Sequence, residues 1–234
     1  MIKFVIARHN EDDYKNYLEP SISMMNVITY DVSDKENESL SLTQKYNSGI
    51  EVALKDGIDD EDIIVFSHED VKILDQFFCE KLNMVFLNKP DVGLVGVIGT
   101  KEFLQNGMWW ANTPDKLNGH IVQENNNKEF HLVKGKIGYF DDIVAIDGLI
   151  FAIRGKLINE GLLFDENFKF HHYDIDMCFQ VLKRNYKIAI ADILVKHKSA
   201  GLGSLTDEYK ESKTNLINKW SEHGFPITVN KFRS

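Results

Sequence analysis

Two cysteines in 234 residues, Cys79 and Cys178, lie far apart and match neither a zinc-ligand spacing nor the closely spaced set of a secreted disulfide framework. Both are expected as reduced, buried thiols. No run of about 18 apolar residues occurs. The N-terminal stretch Ile2–Ala7 turns polar at Arg8 and His9 before it reaches the length of a signal-peptide core. These absences suggest a cytoplasmic protein without a transmembrane segment, at most peripheral to the inner face of a membrane. Basic clusters are missing as well: 36 acidic side chains stand against 27 basic ones, a net charge of -9. With no Lys/Arg patch to follow a phosphate backbone, nucleic acid is set aside as a partner class. An acidic chain that binds a phosphorylated ligand needs a local remedy, either a divalent cation or backbone N–H groups aimed at the phosphates.

What is present is ordinary for a globular chain, 43% apolar and 27% charged residues, with neither repeats nor low-complexity segments. One domain over residues 1–234 is expected, with an insertion at about 105–140 and a helical tail at 205–234. Short apolar runs alternate with helical patterns through the first half, the signature of βαβ units and a mixed, mainly parallel sheet flanked by helices. Strands are expected at residues 2–7, 26–30, 62–66, 92–98, 143–153 and 187–191. Helices are expected from Leu40 to Leu54, with an early kink near Asn47 and Gly49, from Asp174 to Asn185, and from Asp207 to His223. Asn10-Glu-Asp-Asp13 suits a helix N-cap followed by an acidic first turn. Residues 106–139 read as a hairpin or loop excursion rather than a second core.

Three clusters carry chemistry. Ser67-His-Glu-Asp70 follows the clearest buried strand, at the carboxyl end where open α/β sheets bind ligands. If the strand stays extended, His68 and Asp70 project to one side and can grip one cation, while Ser67 and Glu69 face the other. The carboxylate suits Mg2+ or Mn2+, and the imidazole tilts the choice to Mn2+. The same tetrapeptide is equally the composition of a solvated loop or a cap. In His172-Tyr-Asp-Ile-Asp176 the two acids lie about 200° apart around a helix axis. Asp174 then faces a substrate and Asp176 the first turn, or both merely cap the helix. His197 follows a strand and precedes Lys198-Ser-Ala-Gly-Leu-Gly-Ser204, a stretch rich in Gly and Ser that is expected to order only over a ligand.

Taken in order, Ala7-Arg-His-Asn-Glu11, Lys45-Tyr-Asn-Ser-Gly49, Val65-Phe-Ser-His-Glu-Asp-Val71, Asp147-Gly148, Phe164-Asp-Glu166, His172-Tyr-Asp-Ile-Asp176 and Lys196-His197 resemble the family 2 glycosyltransferases. The likeness is to their small bacterial, glycosyltransferase-like branch. The resemblance implies a GT-A-like fold, a nucleotide-sugar donor with UDP favoured, a carbohydrate or glycolipid acceptor, and inverting, metal-dependent transfer in polysaccharide biosynthesis. It implies donor contacts from Asn10, Glu11, Asp31, Asn47 and Gly148. Metal ligation falls to Asp70 and His197, and Asp174 becomes the base. His68 stands where the family has an acid, which leaves open whether it meets ribose or metal, and leaves open a binding protein that has lost transfer. Trp109 and Trp110 either stack on an acceptor sugar or pack beneath the insertion. A sugar nucleotidyltransferase would need a Gly-rich phosphate loop with a basic residue near the N-terminus, and none is found.

Overall fold

The computed structural model describes residues 1–34, 39–126, 128–199 and 206–232. The chain opens with β1 (Ile2–Arg8), then α1 (Glu11–Asp13), which runs through one wide π turn at Tyr14–Leu18 into α2 (Glu19–Ile22). β2 (Ile28–Ser33) and α3 (Leu42–Asp56) follow, then β3 (Ile63–His68), β4 (Val71–Ile73), α4 (Phe78–Asn88), β5 (Val92–Gly96) and β6 (Ile98–Thr100). The hairpin β7 (Leu117–Asn125) and β8 (Lys128–Val133) leads to β9 (Phe140–Ile143), β10 (Ala145–Ile146), β11 (Ile150–Arg154) and α5 (Gly155–Asn159). The last elements are α6 (Tyr173–Lys183), β12 (Lys187–Ile190), β13 (Val195–Lys198) and α7 (Asp207–Lys219).

Seven strands form the main sheet in the order β2-β1-β3-β11-β5-β12-β9. β1 runs parallel to β2 and β3, and β5 parallel to β12. β11 is antiparallel to both its neighbours and β9 to β12, so the sheet is evenly mixed rather than mainly parallel. Helices cover both faces. The central strands are therefore buried end to end, and they read as unbroken apolar runs instead of an alternation. Phe66 sits at the centre of the core with Tyr46, Phe151 and Phe164 around its ring, at centroid distances of 5.0 to 5.4 Å.

A second sheet, β10-β6-β7-β13-β4 with β8 hairpinned onto β7, stands at the carboxyl ends of the first. Residues 106–139 are thus a hairpin, as their turn residues suggest, but one that contributes a long strand to a sheet. The expected strand at 92–98 breaks after Gly96, because the chain leaves the main sheet there for the second one. β2 begins two residues later and ends three residues later than the expected strand at 26–30, running from Ile28 to Ser33. α3 is one uninterrupted α-helix: Ser41 and Gln44 form a reciprocal capping box, and Gly49 lets the helix lie close on β1, where a methyl group would overlap the Val5 side chain. Of the Gly/Ser-rich stretch expected to close over a ligand, all but Lys198 and Ser199 lies outside the described residues.

α7 and the turn after it lock against α6 through Asp176. This fully buried carboxylate accepts from Trp220 Nε1 at 2.8 Å and Lys219 Nζ at 2.7 Å on one oxygen, and from Gln180 Nε2 at 2.9 Å on the other. Removing one partner of such a set leaves the rest desolvated and unpaired. Asp176→Ala is expected to cost about 3 kcal/mol, which lowers the thermal midpoint by roughly 6–12 °C in a chain of this size. A midpoint within a degree of wild type in calorimetry would refute the network's role.

Candidate functional site

β3 ends at His68, and Glu69-Asp70 turn the chain into β4 instead of continuing the extended strand. β4 pairs antiparallel with β13 in a register that sets His197 opposite Val71, next in sequence to Asp70. The turn and the pairing together bring three side chains to one point. Asp70 Oδ1 lies 3.6 Å from His197 Nε2 and 4.0 Å from His68 Nδ1, and one ligand atom from each residue falls within 4.8 Å of the others. Donors that share one cation at about 2.1 Å stand roughly 3–4 Å apart, so the spacing suits a divalent ion. Asp70 Oδ1 is buried and has no hydrogen-bond partner among the described residues, a state that costs free energy unless a cation satisfies it. The residues fit the metal that the sequence implies.

His68 is set up as a ligand by the hydroxyl of Tyr173. That oxygen lies 2.8 Å from the carbonyl of Gly148, which can only accept, so Tyr173 donates its proton there. Its lone pair then accepts from His68 Nε2–H at 2.8 Å. The other ring nitrogen, Nδ1, keeps a free lone pair on the side of Asp70. Burial, helped by the nearby His197 ring, drives the His68 pKa down to about 3, so the imidazole stays neutral. Burial raises Asp70 to about 7 and pushes His197 down.

Asp174, the second residue of α6, lies on the far side of Gly148. It accepts from the Gly148 N–H at 2.8 Å and the Ile175 N–H at 2.9 Å. Burial first, and the neighbouring Asp147 second, raise its pKa to about 7, the range of a general base at neutral pH. Gly148 has to be glycine, because a β-carbon there would strike the Tyr173 ring and Asp174.

Two clefts open on this centre and share His68, Asp70 and Phe170. The first, about 810 Å3, is lined by His9, Gln44, Lys45, Glu69, Glu166 and Lys169 among others. The second, about 750 Å3, is lined by Trp110, Phe130, Gly148, Asp174, His197 and Tyr209 among others. Both expected tryptophans border the second cleft. Trp109 is buried and packs edge-on to Trp110 at 5.9 Å, and Trp110 is partly exposed.

Asn10, Glu11, Asp31 and Asn47 border neither cleft. Asn10 caps α1 through the N–H groups of Asp12 and Asp13. Glu11 pairs with Arg8 and Lys15, and Asp31 with Arg8 at 3.0 Å. Asn47 bonds both the carbonyl and the N–H of Phe164, and the Glu166 carboxylate. Three residues of the site escaped the sequence reading. Glu69 holds the β1–α1 loop by accepting from the N–H groups of His9 and Asn10. Buried Lys45 donates to the Arg8 carbonyl at 2.8 Å and pairs with Asp34. Tyr173 was hidden in an aromatic run. Alternation past Ser67 had marked only that Glu69 points away from Asp70.

The sequence model described as a glycosyltransferase-like family matches residues 3–220. No curated protein matches the chain. Among solved structures, a crystal structure of GalNAc-T7 with UDP, GalNAc and Mn2+ aligns with 94% of this chain at a TM-score of 0.60 and 10% identity. The chain spans about half, 48%, of that chain, and at this identity the likeness is one of fold, the GT-A fold.

The geometry predicts graded losses of metal affinity. Calorimetric titration with Mn2+ alone should show binding abolished in Asp70→Ala. It should show binding weakened about 10-fold in Tyr173→Phe, which frees the His68 ring while leaving every ligand in place. Equal Mn2+ affinity in wild type and both variants would remove the cation from this centre.

Proposed function

The chain belongs to the glycosyltransferase-like family, and from that premise we propose that it moves a sugar from a nucleotide-diphosphate donor, UDP-linked for preference, to an acceptor hydroxyl with inversion. The observation that carries this reading is the buried, unpartnered Asp70 oxygen between two imidazoles at the junction of two clefts, with Asp174 beyond it. The nucleotide occupies the first cleft, whose lining includes Lys45 and Lys169. The sugar and the acceptor meet in the second. Asp70, His197 and His68 hold Mn2+ or Mg2+, and a cation there supplies positive charge against the leaving diphosphate.

Asp174 takes the proton of the attacking hydroxyl. The Gly148 and Ile175 N–H groups fix its carboxylate, and burial sets its pKa high enough to accept that proton near neutrality. Trp110 borders the acceptor's approach. His68 in place of an acid fits this scheme, because its free Nδ1 lone pair joins the metal shell. That favours an active enzyme over a binding protein which has lost transfer.

Asp174→Asn tests the role directly. Turnover should fall about 10^3-fold with UDP affinity unchanged, since an amide keeps the shape but takes no proton. The base must be ionised to act, so kcat/KM in the wild type should rise with pH through an apparent pKa near 7. The Asn variant's residual rate should lack that rise. Wild-type turnover in Asp174→Asn would exclude it as the base, and UDP–Mn2+ binding without transfer by the wild type would favour the binding protein.

A further inference from the structure

Most lysines of this acidic chain are paired; Lys72, Lys89, Lys169 and Lys213 stand singly without an ion pair among the described residues, whereas three such lysines crowd into one short segment. In β8 and the turn after it, Lys128, Lys134 and Lys136 make no ion pair among the described residues. The carboxylates around them are already taken. Glu124 and Glu129 pair with Lys196 at 3.0 and 2.9 Å, Asp141 with Lys187 at 3.5 Å, and Asp142 with Lys101 at 2.7 Å. Within residues 128–137 Glu129 is the one acid against Lys128, Lys134 and Lys136, so this segment is locally positive on a chain whose net charge is -9.

The same segment exposes large apolar side chains. Phe130 is 49% exposed, Val133 45% and Ile137 46%. Among the described residues β8 pairs only with β7, and no strand lies on its outer edge. Alternation places Phe130, Leu132 and Lys134 on the face that borders the second cleft and Val133 on the other, so apolar groups flank the edge on both sides. Apolar side chains interleaved with lysines suit the interface of an anionic bilayer. There the apolar groups enter the headgroup boundary, and each lysine adds electrostatic attraction.

We propose that the β8 edge and the turn to Ile137 dock on a lipid surface bearing anionic headgroups, with the second cleft opening beside that surface. Among the described residues no helix is long and apolar enough to cross a membrane, and none is required, because the contact lies in the interface plane. The binding is reversible and salt-sensitive, since its charge component is screened over about 8 Å at physiological ionic strength. This docking involves none of the metal ligands and not Asp174, so it stands or falls separately from the transfer reaction.

Sedimentation with vesicles provides the test. One set contains phosphatidylcholine alone and the other equal parts of phosphatidylcholine and phosphatidylglycerol. The protein should partition onto the anionic vesicles only, and added salt should release it. Lys128→Gln/Lys136→Gln should weaken partitioning roughly 25-fold, about fivefold per lysine. Val133→Ser/Ile137→Ser should weaken it about tenfold. Neither pair should change UDP–Mn2+ binding or the thermal midpoint. Failure to bind anionic vesicles, or equal binding to both vesicle types, would overturn the proposal. So would a dimer that both variants dissociate, because the edge would then belong to a second copy of the chain.

Discussion

A carboxylate oxygen enclosed by protein and offered no hydrogen bond is costly to maintain, and Asp70 Oδ1 is one. Its position follows from a single strand pairing. β13 reaches β4 only because the second sheet stands at the carboxyl ends of the first, and the register of that pairing sets His197 beside Asp70. A slip of one residue would turn every side chain of β13 to the opposite face and separate the imidazole from the carboxylate. The hairpin steadies the register from the other side, since β7 runs parallel to β13 with Lys196 opposite Val122. Lys196 then ties Glu124 and Glu129 together across the hairpin. The placement of His197 beside the Asp70 turn is therefore held by strand pairing on both sides.

In this acidic chain the centre carries a single carboxylate. Two imidazoles kept uncharged by burial beside it would offer a cation a set of donors with little net charge of its own. Phosphate groups brought near it meet less repulsion than they would beside a cluster of acids. Elsewhere many of the acids are paired, including the Asp62 carboxylate, which takes both Lys3 and the terminal amine.

Much of this was legible in the sequence because the signals are local. Buried central strands show as apolar runs, α6 and α7 show their period, and His68, Asp70, Asp174 and His197 stand where strands or helices begin or end. What stayed hidden depends on distant partners. Nothing local tells that β11 runs antiparallel between β3 and β5, since a fully buried strand reads the same in either direction. The polar composition of residues 106–139 suggested an excursion because β7 and β8 form a sheet with one solvated side. Asn47 carried no mark of its actual task, the bridge to Phe164, because that bond spans most of the chain.

Tyr173 and Gly148 join the two halves of the site. One peptide group beside Gly148 accepts the Tyr173 proton through its carbonyl, and the preceding peptide's N–H holds the Asp174 carboxylate. The chain of bonds runs from His68 through the Tyr173 hydroxyl and residue 148 to Asp174, so the imidazole that faces Asp70 and the carboxylate that faces the second cleft share one backbone anchor. Motion of either group alone would break a buried hydrogen bond, which ties their relative position to within the tolerance of those bonds. That coupling requires a residue without a side chain at 148, since any β-carbon would push Tyr173 and Asp174 apart and loosen both ends at once. The bare α-carbon at this position thus serves the alignment of Asp174 with Tyr173 and, through its hydroxyl, with His68.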